Sequence, residues 1–174
     1  VKDYLTYNNF DYNINLETDV NLEPGANRFL SLYIGTYIQI AEKEFEYFTH
    51  DFTIDFWINF DKILNHSLPF YYIGGLSSSS FINLKINDSN QIEMTINGTS
   101  TYTLTGPVVS LNTFYHIFIS YDSANKVFYL GFDGTIYSIS CPTYIGPTDT
   151  DHSYHTFNCR DSEPWTACGY SFKL

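Results

Sequence analysis

Positive charge is scarce in this chain: Lys and Arg together number 8 against 19 Asp and Glu, a net charge of -11 over 174 residues. A protein of that sign repels a phosphate backbone at long range, so nucleic acid and anionic membrane are poor partners. No apolar run approaches the ~20 residues that span a bilayer as a helix, which argues against membrane insertion by that route. Cysteine is limited to Cys141, Cys159 and Cys168, none two residues from another, so the usual thiolate zinc spacing is missing. Cys159 and Cys168 flank a polar stretch and could pair, leaving Cys141 buried, but three thiols in a reducing compartment would read identically. Neither a Gly-rich phosphate loop nor a G-x-S-x-G elbow occurs, so kinase and serine-hydrolase classes lack support. Helical periodicity and internal repeats are also missing. The chain opens on Val1, which marks a processed product or a piece of something longer, and location is not read directly.

Aromatic residues are plentiful, with 16 Tyr and 15 Phe, and these types favour pleated surfaces. Period two dominates. Phe52, Ile54, Phe56, Ile58 and Phe60 share one face of a strand while Thr53, Asp55, Trp57 and Asn59 occupy the other. Residues 81–86 and 91–96 form a hairpin across Asn87-Asp88-Ser89-Asn90, and Asn97-Gly98 predicts a type I′ turn into a third strand over 100–104. A second hairpin joins 115–121 to 126–132 through Asp122-Ser123-Ala124-Asn125, and Asp133-Gly134 turns it into 135–139. Shorter strands are expected over 12–16, 29–34 and 37–40. After Cys141 the pattern fails, and 148–164 reads as a long polar loop.

About ten short strands joined by turns too tight for crossovers predict an all-β, antiparallel sandwich or barrel. The chain divides into an N-terminal strand and connecting segment (1–28), a strand-rich core (29–146) and a polar C-terminal loop and tail of the same domain (147–174).

Phe52-Thr53-Ile54-Asp55-Phe56-Trp57-Ile58 resembles the strand signature "FTIEFWV" of laminin-G-like domains in the concanavalin A-like lectin and glucanase superfamily. Residues 114–122, reading FYHIFISYD, are similar to the family's "WHHVAVTYD" strand. Residues 128–134 resemble its "LYVDG" hairpin end, and Thr143-Tyr144-Ile145-Gly146 its "LYIG". The family's closing strand has no counterpart after Gly146. The resemblance implies an antiparallel two-sheet β-sandwich, the concanavalin-like jelly roll, with 29–146 as its core, and such domains bind sugars, proteins or nothing, so fold alone does not assign a role.

The Asn-rich, Tyr-rich, Lys-poor composition is similar to that of phage structural proteins. It points to a virion or other extracellular surface and to other structural proteins of an assembly as partners, and the resemblance adds a cell-surface glycan as a ligand. A domain of a secreted bacterial adhesin or toxin is a further reading compatible with the sequence. An enzymatic alternative rests on Glu42, Glu44 and Glu46, which alternate along one face as do the acids of retaining glucanases in the same superfamily. Lys43 and Phe45 between them favour a solvated edge strand over a catalytic one.

Trp57 and Trp165 are the candidate ligand-binding rings, flat enough to stack on a sugar, although for Trp57 the resemblance favours packing against a layer or loop. His116 stands mid-strand, and His152 and His155 lie near Asp149 and Asp151 in a set that could hold a transition metal. Calcium suits the family better, with Asp122 and Asn125, or Asp149 and Asp151, as oxygen donors, though no spacing among them marks a site.

Overall fold

Alternation of apolar and polar side chains makes one face of each strand dry, and the only way to bury six such faces is against six others. The computed structural model describes residues 31–32, 38–42, 48–64, 66–75, 80–146, 153–158 and 170–174. Among these are twelve strands: β1 (Ser31–Leu32), β2 (Ile38–Glu42), β3 (Phe52–Ile63), β4 (Tyr71–Gly75), β5 (Phe81–Ile86), β6 (Gln91–Asn97), β7 (Thr101–Val108), β8 (Phe114–Asp122), β9 (Val127–Phe132), β10 (Thr135–Ser140), β11 (Ser153–Phe157) and β12 (Tyr170–Lys173). They form two six-stranded sheets. Sheet I runs β1-β12-β3-β8-β9-β10 and sheet II runs β2-β11-β4-β5-β6-β7, with every pairing antiparallel.

The layer between them is the core. From sheet I come Ile58, Phe60, Ile117, Ile119, Phe128 and Leu130, and from sheet II Ile82, Leu84, Ile86, Ile92, Met94 and Ile96, all fully buried. The expected face of β3 therefore does line the core, and the strand runs on to Ile63. Both expected hairpins form, with Leu84 opposite Met94 and Ile119 opposite Leu130.

The sequence expectation changes in three places. The type I′ turn falls at Asp133-Gly134, where both residues take positive φ (45° and 81°) between paired Phe132 and Thr135. Asn97 and Gly98 have negative φ, because the connection there is longer: Asn97 pairs with Thr101 across a three-residue loop. The third strand of that meander extends to Val108 through Gly106 and Pro107. As the outermost strand of sheet II it tolerates a proline, and the register shift opposite Gln91 to Glu93 absorbs it.

The third change is the largest. Segment 148–164, expected to be a loop, contains β11, which lies between β2 and β4, and beyond it β12 lies between β1 and β3. The C-terminal segment thus supplies an inner strand to each sheet and closes the sandwich. Asn158 locks the two together. Its Nδ2 donates to the Tyr170 carbonyl at 3.0 Å, its Oδ1 accepts from Tyr170 N at 3.2 Å, and its own N–H donates to Phe70 O at 2.8 Å. The strand expected over 12–16 lies outside the described residues; of those over 29–34 and 37–40, Ser31–Leu32 and Ile38–Glu42 are seen as β1 and β2.

Candidate functional site

Because β3 and β8 pair with Trp57 opposite His116 and Asp55 opposite Phe118, the residues that alternate away from the core form one outer face on sheet I. Trp57 does not pack against a layer or a loop there: it is 58% exposed. Its ring lies 5.1 Å from the His116 ring at 34°, and His116 stands 6.5 Å from Phe118, so three rings follow one another across the two strands. Polar groups frame them. His116 Nε2 lies 3.3 Å from Asp55 Oδ2, the His116 N–H donates to Asp133 Oδ1 at 2.8 Å, and the Thr53 and Ser120 hydroxyls are 2.9 Å apart.

Phe118 lies flat because its neighbour has no side chain. A Cβ on Gly131, its partner across to β9, would come within 1.8 Å of the Phe118 ring. Beyond it, Ile136 on β10 is also exposed. The face is therefore a shallow apolar and aromatic strip held on paired strands and bordered by a carboxylate, an imidazole and hydroxyls. Flat rings of this kind can stack on another flat apolar surface while the border groups hydrogen-bond. Period two alone places Asp55 and Thr53 beside Trp57; Phe118 and the Gly131 seat needed the register between strands, which the sequence does not state.

The other sequence candidates are distributed elsewhere. Asp122 and Asn125 close the β8–β9 turn on each other, with Asn125 N–H on Asp122 Oδ1 at 2.9 Å and Asn125 Nδ2 on Oδ2 at 2.7 Å. Those bonds hold the Asp122 carboxyl below its ordinary range. Asp51 accepts from the Ser123 hydroxyl and N–H at 2.6 and 2.8 Å and is lowered in the same way. Among the described residues no group of three or more His, Cys, Asp or Glu is arranged to hold a metal. Glu42 ends β2, an outermost strand of sheet II. His155 is in β11. Glu44, Glu46, Asp149, Asp151, His152, Cys159, Trp165 and Cys168 lie outside the described residues. Cys141 is a buried free thiol, and burial pushes its pKa up to about 11, which keeps it protonated and a poor nucleophile at neutral pH.

Two closed antiparallel layers with an aromatic strip on one outer face define a jelly-roll sandwich of the concanavalin type. The chain belongs to the concanavalin A-like lectin/glucanases superfamily, whose laminin-G family model matches residues 33–167. Comparison with curated proteins gives no match. Solved structures share the fold at low identity. The Ruminococcus gnavus IT-sialidase CBM40 bound to alpha2,3 sialyllactose aligns with a TM-score of 0.60 at 12% identity, covering 84% of this chain and 85% of that one. Domains LG4-5 of the mouse laminin alpha1 chain align at 0.60 and 11%, covering 91% and 42%. The binding domain of botulinum neurotoxin DC in complex with SialylT aligns at 0.65 and 16%, covering 94% and 41%.

Proposed function

We propose that the chain is a non-enzymatic, surface-binding module that contacts carbohydrate through the Trp57 face, displayed on a virion or another extracellular assembly. The observation that carries this reading is the exposure of Trp57 at the middle of a paired strand, with His116 and Asp55 beside it. A large ring held in water by a rigid sheet forgoes its own burial, about 1.5–3 kcal/mol for a large apolar side chain, and such a ring serves stacking on a partner. The superfamily includes lectins, and the CBM40 and toxin neighbours carry sialylated ligands in their solved complexes. The same face would serve a secreted adhesin or toxin, with the surrounding assembly as the difference.

Binding of the purified chain to immobilised glycans, compared with Trp57→Ala, tests the reading. The expected result is retention on at least one glycan, weakened about tenfold or more by the substitution. Retention on none, or equal retention by the variant, overturns it.

A further inference from the structure

On sheet II the β5–β6 hairpin and residues 66–67 border an open recess of about 400 Å³. That volume lies at the small end of the range for ligand pockets. His66, Lys85, Asn87, Asp88, Ser89 and Glu93 line it, with no Phe, Tyr or Trp among the lining residues.

The hydrogen-bonding capacity left over is mixed. His66 Nδ1 lies 3.1 Å from the Ile86 carbonyl, which only accepts; the proton therefore sits on Nδ1 and leaves Nε2 of a neutral ring as an acceptor. Asn87 Oδ1 is committed to the Ser89 and Gln91 N–H groups at 3.0 Å each, which leaves its amide NH₂ to donate. Lys85 Nζ meets Glu93 Oε1 at 3.0 Å, so two ammonium hydrogens and Oε2 remain. Glu93 balances Lys85, and Asp88 makes the lining net negative. In a chain of net charge -11, an anionic ligand entering here meets repulsion at both ranges. A hydroxyl both donates and accepts and suits each of these groups without bringing charge.

We infer that this recess is a second binding site, separate from the Trp57 face, for a neutral polyhydroxylated ligand such as a sugar ring without acidic substituents. Recognition there runs through hydrogen bonds on sheet II, whereas the Trp57 face offers ring stacking on sheet I.

The test is amide NMR of the ¹⁵N-labelled full chain titrated with the methyl glycosides of glucose, galactose and N-acetylglucosamine, with 3′-sialyllactose as the acidic probe. At least one neutral glycoside is expected to give saturable shifts at Lys85, Asp88, Ser89 and Glu93. Lys85→Met should weaken that binding about tenfold or more, by removing a charged donor, and Trp57→Ala should leave it unchanged. Ser89→Trp, which narrows the mouth from an exposed turn, is a second variant with the same expectation as Lys85→Met. Three results overturn the inference: no saturable shift at those residues with any neutral glycoside, tighter binding there by sialyllactose, or binding that both recess variants leave intact. Shifts confined to Asp55, Trp57 and His116 overturn the recess and leave the proposed module standing.

Discussion

Trp57 and Phe60 are large aromatic residues three positions apart on the same strand, yet one is 58% exposed and the other fully buried. Phe60 faces inward, with Phe70 at 5.0 Å and 78° and with Tyr170 and Phe172 at about 6 Å. Trp57 faces outward beside an imidazole and a carboxylate. An odd separation on a pleated strand puts two rings on opposite sides, so one twelve-residue strand contributes both to the dry layer that holds the sheets together and to the face available to a partner. Aromatic content by itself therefore says little about binding; the side of the strand decides which rings are structural.

The sharpest way to break that comparison is to truncate both rings. Phe60→Ala should cost about 3–5 kcal/mol, the range for deleting a buried ring whose surroundings relax only in part. Trp57→Ala should stay within about 0.5 kcal/mol, as for an exposed position outside any packed or capped feature. Urea unfolding midpoints, with the slope held fixed, measure both. Equal costs would mean that the outer ring also belongs to the core.

A finer division runs within the buried face itself, between hydroxyls that have a protein partner and those that do not. The Tyr170 hydroxyl donates to Leu68 O at 2.8 Å and accepts from Ile86 N at 3.0 Å, tying β12 of sheet I to β5 of sheet II. Burial pushes its pKa up to about 12, so it stays protonated and can do both. The Tyr144 hydroxyl is buried with no hydrogen-bond partner among the described residues, and burial beside Tyr121 and Cys141 raises its pKa further still. Tyr170→Phe should cost about 1–3 kcal/mol, chiefly by stranding the Ile86 N–H. Tyr144→Phe should be neutral or slightly stabilising, since it removes a desolvated group that bonds to nothing. A loss at Tyr144 as large as that at Tyr170 would show that the first hydroxyl has a partner after all, such as an internal water.

Much of this was legible in the sequence where strands are long and one-sided. The alternation from Phe52 to Phe60 and from Tyr115 to Phe132 gives the central strands of sheet I, their core residues and the exposure of Asp55, and the four-residue connectors give the hairpins. Legibility ends where pairing is decided by distant partners. Ser153–Phe157 is short and mixed in polarity, and its backbone is ordered between β2 and β4 from both sides. Tyr170–Lys173 does alternate, but four residues are too few for a period to be counted. The missing family signature at the C-terminus left the closing strand unassigned, and closure comes from these two strands and from Asn158, which takes a positive φ of 75°, a conformation Asn adopts more readily than most residues. Of the proposed face, the sequence singled out Trp57 as a candidate ring and His116 only as a mid-strand histidine; their alignment across β3 and β8 is a property of register.

The smallest expected effect lies on the rim, where the carboxylates of Asp122 and Asp51 hold the β8–β9 turn in full contact with water. Both are lowered from an ordinary 3.8, Asp122 by the Asn125 side-chain and backbone bonds and Asp51 by those of Ser123. A depressed carboxylate stabilises the folded chain above its unfolded pKa, and that contribution is lost as pH falls through the folded value. Asp122→Asn removes the charge that strengthens the bonds to Asn125, so the variant should unfold at lower urea than the parent at about pH 6. The gap should narrow as pH falls below 3.8 and on through the lowered folded value, as the parent carboxyl takes up its proton. Exposure keeps the difference small, because water and salt screen such a group. A gap that persists unchanged into acid would assign the turn's stability to the shape of the Asp122 side chain instead of its charge, and would place this rim with the packed interior in what it contributes.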